Sequence, residues 1–205
     1  MAQIDKPNLH FTTTLYTGNG STDRAVTVGF QPDWIWCKER SQTESNMLHD
    51  VHMNAGDYIR TNTADVVSNS GEMFKSITST GFTVGTRGEV NENSQTYVNW
   101  SWKGGGTPSA NNVGATASSV SVNTTSGFSV VKWTGTGSAT TVGHGLGATP
   151  DLIIIKNLSD SVNWMFFARS MIAPGATNKE FFELNAQAGL QANGSATTFT
   201  STSNT

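Results

Sequence analysis

The sequence predicts an all-β protein: two tandem antiparallel β-sandwich or jelly-roll-like modules, the second lacking its last strands. Three observations carry this. The first is internal repetition. Tyr16 to Lys38 reads YTGNGSTDRAVTVGFQPDWIWCK, and Trp133 to Lys156 reads WTGTGSATTVGHGLGATPDLIIIK. Both run aromatic-Thr-Gly-x-Gly-Ser, then a polar β-forming stretch, then Pro-Asp before an apolar run ending in Lys. The copies lie 117 positions apart at the Gly pair and 118 apart at Pro32 and Pro150. Self-similarity on this scale outranks any single-residue signal. The second is composition: charged residues are only 13% and glycines number 21, which suits strands joined by tight polar turns. The third is the density of short β-like runs, with turn signals every 8 to 12 residues or so.

The expected organisation is an N-terminal arm over 1–10, a first module over 11–103, a Gly/Ser/Asn linker over 104–117 and an incomplete second module over 118–205. In the arm, Pro7 is expected to block any helix start. Phe11 to Thr17 and Arg24 to Phe30 read as strands around the turn at Gly18-Asn19-Gly20. Trp34 to Lys38 follows a Pro32-Asp33 turn. Trp34 and Trp36 face one way and Ile35 and Cys37 the other, so a central strand buried on both sides is expected. Asn46 to Val51 and Tyr58 to Thr61 are further strands, with at most one helical turn between Asn62 and Gly71. Phe74 to Thr78 and Phe82 to Gly85 form a hairpin about Ser79-Thr80-Gly81. Thr96 to Lys103 places Val98, Trp100 and Trp102 on one face. The linker Gly104 to Ala117 has almost nothing to bury.

In the second module, Ser119 to Asn123 and Phe128 to Trp133 form a hairpin. Leu152 to Ile155 matches Trp34 to Cys37, Trp164 to Ala168 matches Asn46 to Asp50, Phe181 to Asn185 matches Tyr58 to Asn62, and Thr198 to Thr202 matches Ser76 to Thr80. No counterpart of Phe82 to Lys103 follows. The expectation is a fragment of a longer polypeptide or, alternatively, strands supplied by another subunit, since open edges are normally avoided.

Charge and hydropathy exclude several classes. The net charge of −3 with no Lys/Arg run argues against a nucleic-acid surface. No apolar stretch approaches the roughly 18 residues of a membrane span. The opening residues lack the pattern of a signal peptide, and Cys37, the single cysteine, allows neither an internal disulfide nor a Cys-based zinc site. A chain made and folded in a cytosol is expected.

Candidate chemistry is sparse. His49 and His52 flank Asp50, but on a strand they point to opposite faces and cannot share an ion; a solvated strand end is expected. His144 lies in a Gly-His-Gly-Leu-Gly turn without the strand–helix context of a phosphate loop. Asp33 and Asp151 are matched turn residues, and Glu39, Glu44, Glu89 and Glu92 sit in polar loops without counterparts, which is a poor basis for paired-carboxylate hydrolysis. The tryptophans are candidates for sugar stacking. However, Trp34 and Trp36 align with Leu152 and Ile154, so Trp34, Trp36, Trp100 and Trp102 are assigned to the core. Any ligand site is expected in the loops 39–45, 87–94 or 170–178. No catalytic, cofactor-binding or metal-ligating residue is assigned, and no cofactor is expected.

The runs IDKP, LYTGNGS and VGFQPDWIW, with TSTGFTVG, TYVNWSWKGGG, SVSVNTTSGFSVVKWTGTGS and PDLIIIKN, together resemble a module repeated in large structural proteins of tailed bacteriophages, especially marine and cyanobacterial ones. The resemblance implies a non-enzymatic virion component, located in the virion: a tail fibre, appendage or head decoration. Its expected partners are other virion proteins and copies of itself in a homo-oligomer, a trimer in the case of a fibre. A carbohydrate-binding module recognising host surface glycans is the alternative. Neither nucleic-acid binding nor membrane insertion is expected.

Overall fold

The computed structural model describes residues 6–171, 180–186 and 191–192. The regular secondary structure of the described chain is almost entirely antiparallel β. Strands β1 (Phe11–Thr17), β2 (Arg24–Thr27), β3 (Trp34–Glu39), β4 (Met47–Asp50), β5 (Asp57–Arg60), β6 (Ser68–Asn69), β7 (Phe74–Thr78) and β8 (Gly81–Val84) are followed by a helical turn, α1 (Gly88–Asn91), and by β9 (Thr96–Trp102). A six-stranded sheet in the order β1-β9-β3-β4-β5-β6 faces a three-stranded sheet in the order β2-β8-β7. Ile35, Cys37, Met47, Tyr58 and Tyr97 of the large sheet meet Val26, Phe74, Phe82 and Val84 of the small one, and this is the first core.

The alternation in β3 is as predicted but the burial on both sides is not: Ile35 and Cys37 are fully buried, while Trp34 and Trp36 stay half-buried on the opposite face. Tyr97 of β9 lies across from Tyr16 of β1, and their rings stack 4.9 Å apart. The Tyr16 hydroxyl donates to the Val90 carbonyl at 2.7 Å and the Tyr97 hydroxyl donates to that of Gly88 at 2.5 Å. Two core tyrosines thus supply partners for α1, whose carbonyls would otherwise be orphaned. The stretch between Asn62 and Gly71 holds β6 and no helical turn; the helical turn of this repeat lies at α1, in the 86–95 segment read as a polar loop. In the N-terminal segment Pro7 does not block a helical start. It opens a 3-10 turn over Pro7–Leu9, because the first helical position needs no N–H donor.

Beyond β9 lie β10 (Ser109–Asn111), β11 (Ser118–Asn123) and β12 (Phe128–Trp133) in one three-stranded sheet. Next come β13 (Leu152–Ile155), β14 (Met165–Ala168), β15 (Glu180–Glu183) and β16 (Gln191–Ala192) in one four-stranded sheet. The Gly-rich stretch after β9 is tied down. Gly104 and Gly106 donate their N–H groups to the Asp33 carboxylate at 2.7 and 3.2 Å, and Ser109–Asn111 pairs with β11.

The repeat read from sequence is a repeat of hydrogen bonds. The pairs Trp34↔Asp50, Ile35↔His49, Trp36↔Leu48 and Cys37↔Met47 recur as Leu152↔Ala168, Ile153↔Phe167, Ile154↔Phe166 and Ile155↔Met165. The Asn46 N–H donates to the Asn62 side chain at 3.0 Å, and the Trp164 N–H donates to the Asn185 side chain at 2.7 Å. Val51 N–H to Asp33 carbonyl recurs as Arg169 N–H to Asp151 carbonyl. Most strand side chains at matched positions differ, whereas the register, the Asp carbonyl contact and the Asn side chain that accepts at the strand end are kept. The expected strand at Thr198 to Thr202 lies outside the described residues.

The two repeats meet through the same face. Trp164, Ile154, Leu158 and Leu184 of the second pack on Leu48, Ile59, Trp34, Met53 and Val67 of the first, on the side of the six-stranded sheet away from its core. Trp164 is buried, and its indole N–H donates to the Arg60 carbonyl at 3.0 Å. The Lys156 ammonium crosses to the Ala64 carbonyl at 3.1 Å.

Candidate functional site

A groove of about 430 Å³ opens where the second repeat leaves this outer face uncovered; Trp36, Lys38, Asn46, Trp100 and Trp102 line it. Strand register explains the grouping. Across β1, β9 and β3 one row runs Phe11, Trp102, Trp34, the next Thr13, Trp100, Trp36, and the third Leu15, Val98, Lys38. Cross-strand neighbours on one face stand about 5 Å apart, so the indoles are brought into contact by pairing alone. Trp36 and Trp100 meet edge-on, with centroids 6.0 Å apart and planes inclined at 60°. Trp102 is held between Phe11 at 4.7 Å and Phe128 of β12 at 6.1 Å.

Polar groups stand at the rim. The Trp36 indole N–H donates to the Thr61 hydroxyl at 3.1 Å, and the Lys38 ammonium donates to the Glu44 carbonyl at 2.6 Å. The indole N–H groups of Trp100 and Trp102 and the side-chain carboxamide of Asn46 make no hydrogen bond among the described residues.

The assignment of these tryptophans to the core is thereby corrected. Trp36, Trp100 and Trp102 are all half-buried, outside the cluster that fills the sandwich. Alternation identifies which residues share a face but not which face is enclosed, and both faces of β3 are apolar. One sign was present in the sequence. Ile154 stands where the first repeat has Trp36, so the fold does not need an indole at that position.

The other candidates fall elsewhere. His49 is not solvated but 4% exposed; it lies 5.3 Å from the Phe74 ring, and its Nδ1–H donates to the Asp57 carbonyl at 2.8 Å. Burial holds its pKa below the usual histidine value. His52 turns away toward β11, where Nε2–H donates to the Ser119 carbonyl at 3.0 Å. Asp50 accepts the His52 backbone N–H at 2.7 Å and is also largely buried, which raises its carboxyl pKa. The two histidines therefore serve separate contacts. The cluster is packed from two directions: Phe74 of β7 lies against His49, and β11 receives His52.

Asp33 is 2% exposed, and its carboxylate collects the glycine amides that follow β9; burial pushes its pKa up against that stabilisation. Asp151, its match, is exposed and paired with Arg169 at 2.5 Å. Glu39 is buried and accepts the N–H groups of Ser41 and Gln42, folding the 39–45 loop, and Glu89 pairs with Arg87 at 2.6 Å. Each of these four carboxylates thus has its own structural partner. His144 sits where Gly145 and Gly147 take φ of 74° and 69°, the tight turn expected. Most of the 170–178 loop lies outside the described residues. Among the described residues no group of three His, Cys, Asp or Glu side chains is placed to hold a metal ion.

A second groove, also about 430 Å³, is lined by Ser161, Val162, Asn163, Met165, Phe181 and Glu183. Met165 and Phe181 correspond to Met47 and Tyr58, which in the first repeat belong to the sandwich core.

Comparison with known proteins adds a family. No curated protein and no solved structure matches the chain. One family profile, described as a domain of unknown function (DUF7483), matches residues 6–205. The match takes in both repeats, their shared interface and the tryptophan groove, and on it the chain belongs to the DUF7483 family.

Proposed function

We propose that this chain is a non-enzymatic structural component of a tailed-bacteriophage virion, serving as a fibre, appendage or surface decoration. The observation that carries the reading is the repeat itself. A β unit is used twice with one register and one set of strand-end hydrogen bonds, while most strand side chains at matched positions vary. That is how an extended structural protein is lengthened, and it agrees with the phage-type motifs in the sequence. The low charge and the apolar side chains left exposed, such as Leu15 at 63% and Leu152 at 52%, suit a chain whose neighbours are other virion proteins and further copies of itself. For a fibre, the oligomer proposed is a homotrimer.

Immunogold electron microscopy of purified virions, using an antibody raised against residues 1–103, tests this. Label on tail or head supports the reading and locates the protein. Particles that carry no label, from cells in which the protein is made, refute it.

A further inference from the structure

We propose that the groove between Trp36, Trp100 and Trp102 is a saccharide-binding site that takes a short run of pyranose rings. This does not rest on the virion reading.

The volume, about 430 Å³, is in the range of small-ligand sites, which span roughly 300–1,000 Å³. Its floor is indole, and two of its rings are inclined at 60°, so they offer faces in two directions rather than one flat plate. The C–H face of a pyranose packs against such a ring surface, and aromatic side chains pair an apolar body with a polar handle.

The rim decides the class of occupant. The indole N–H groups of Trp100 and Trp102 and the Asn46 carboxamide have no partner among the described residues. The Lys38 ammonium stands beside them, held by the Glu44 carbonyl. A purely apolar occupant would strip water from these donors and return nothing, at the cost of unsatisfied polar groups. An anion alone would meet only the one ammonium and leave the indole floor unused. A ligand with carbon-bound faces and hydroxyls around its edge satisfies both sets of groups.

The groove is also built to persist. Trp102 is pinned between Phe11 and Phe128, and Trp36 by its bond to Thr61. Two walls are therefore fixed before any ligand arrives, and little ordering cost remains. The apolar part of the same face that needs cover already has it from Trp164 and Ile154.

The test is affinity electrophoresis of the purified chain in gels containing mannan, a β-glucan, a galactan or alginate. Tryptophan fluorescence titration with oligosaccharides of the retarding polymer follows. Retardation by at least one polymer is expected, with a tenfold or greater weakening in Trp100→Ala and Trp36→Ala. Asn46→Ala, which leaves the aromatic floor intact, should weaken binding several-fold. Trp133→Ala, an exposed tryptophan outside the groove, should bind as the parent does. Circular dichroism melts of each variant separate lost binding from lost folding. No retardation by any of the four polymers overturns the proposal. So does binding that survives both Trp100→Ala and Asn46→Ala, or capture of a proline-rich peptide in place of saccharide. An unlabelled virion with a glycan-binding chain would defeat the virion reading and leave this one standing.

Discussion

Replacing Trp164 with alanine should cost about 3–5 kcal/mol of stability. The side chain is 3% exposed and fills the space between Leu48, Ile59, Ile154 and Leu184. Burying an indole removes roughly 200 Å² from water. At about 25 cal/mol/Å², and discounted for a compact unfolded chain, that gives about 3–4 kcal/mol. Loss of the hydrogen bond to the Arg60 carbonyl adds about 1 kcal/mol, since the part-buried carbonyl loses this partner. Trp164→Phe separates the two contributions: it keeps most of the ring and should cost only about 1–2 kcal/mol. Urea unfolding followed by circular dichroism gives both values. A cycle with Ile59→Ala should show coupling of about 0.5–3 kcal/mol, because the two side chains share one cluster. If Trp164→Ala costs under about 1 kcal/mol and does not couple to Ile59, the two repeats do not pack through this face and the reasoning fails.

Three further outcomes are expected. Cys37 is fully buried beside the Tyr16 hydroxyl, and burial pushes its thiol up to about 12, so it should resist iodoacetamide at pH 8 in the native protein and react only on unfolding; rapid native alkylation would contradict this. His49 is held neutral by burial, so the unfolded chain binds its proton first. The stability it contributes is present above the ordinary histidine pKa of about 6.5 and is lost as pH falls from there toward the lower folded value, at up to about 1.4 kcal/mol per pH unit. In a pH series of urea midpoints, His49→Gln should flatten that slope, and the part due to His52, shifted the same way, should remain. Gly81→Ala should cost about 1–3 kcal/mol by thermal or urea melts, because a Cβ there would meet the Val26 carbonyl oxygen at 2.0 Å, across the β2–β8 pairing; an unchanged midpoint would contradict that placement.

Much of the fold was legible in the chain, for a physical reason. Period-two alternation bounded by Gly, Pro and Asn fixes strands locally, and the second copy fixes register. Leu152 to Ile155 pairs with Met165 to Ala168 as its match Trp34 to Cys37 pairs with Met47 to Asp50. What escaped was what depends on non-local packing. β6 and β10 are too short and polar to show a pattern. His49 looks like a strand-end histidine until Phe74, which is 25 positions later, arrives against it. The tryptophan groove was misassigned because Trp36 and Ile35 read equally well as core. Only the opposing β2-β8-β7 sheet decides which of them is enclosed.

The packing of one repeat on the matching face of the other has a consequence for how strong that packing must be. Two separate chains meeting this way would have to overcome the loss of translational freedom with interface area alone. Joined in one polypeptide, each copy sees the other at an effective concentration on the order of millimolar. A modest cluster around Trp164 then suffices to hold them together. Nothing compels the second copy to spread across the whole aromatic face, and part of that face stays open as a groove. Covalent tethering, by relaxing the demand on area, is what leaves the indoles of Trp36 and Trp100 free to meet something else.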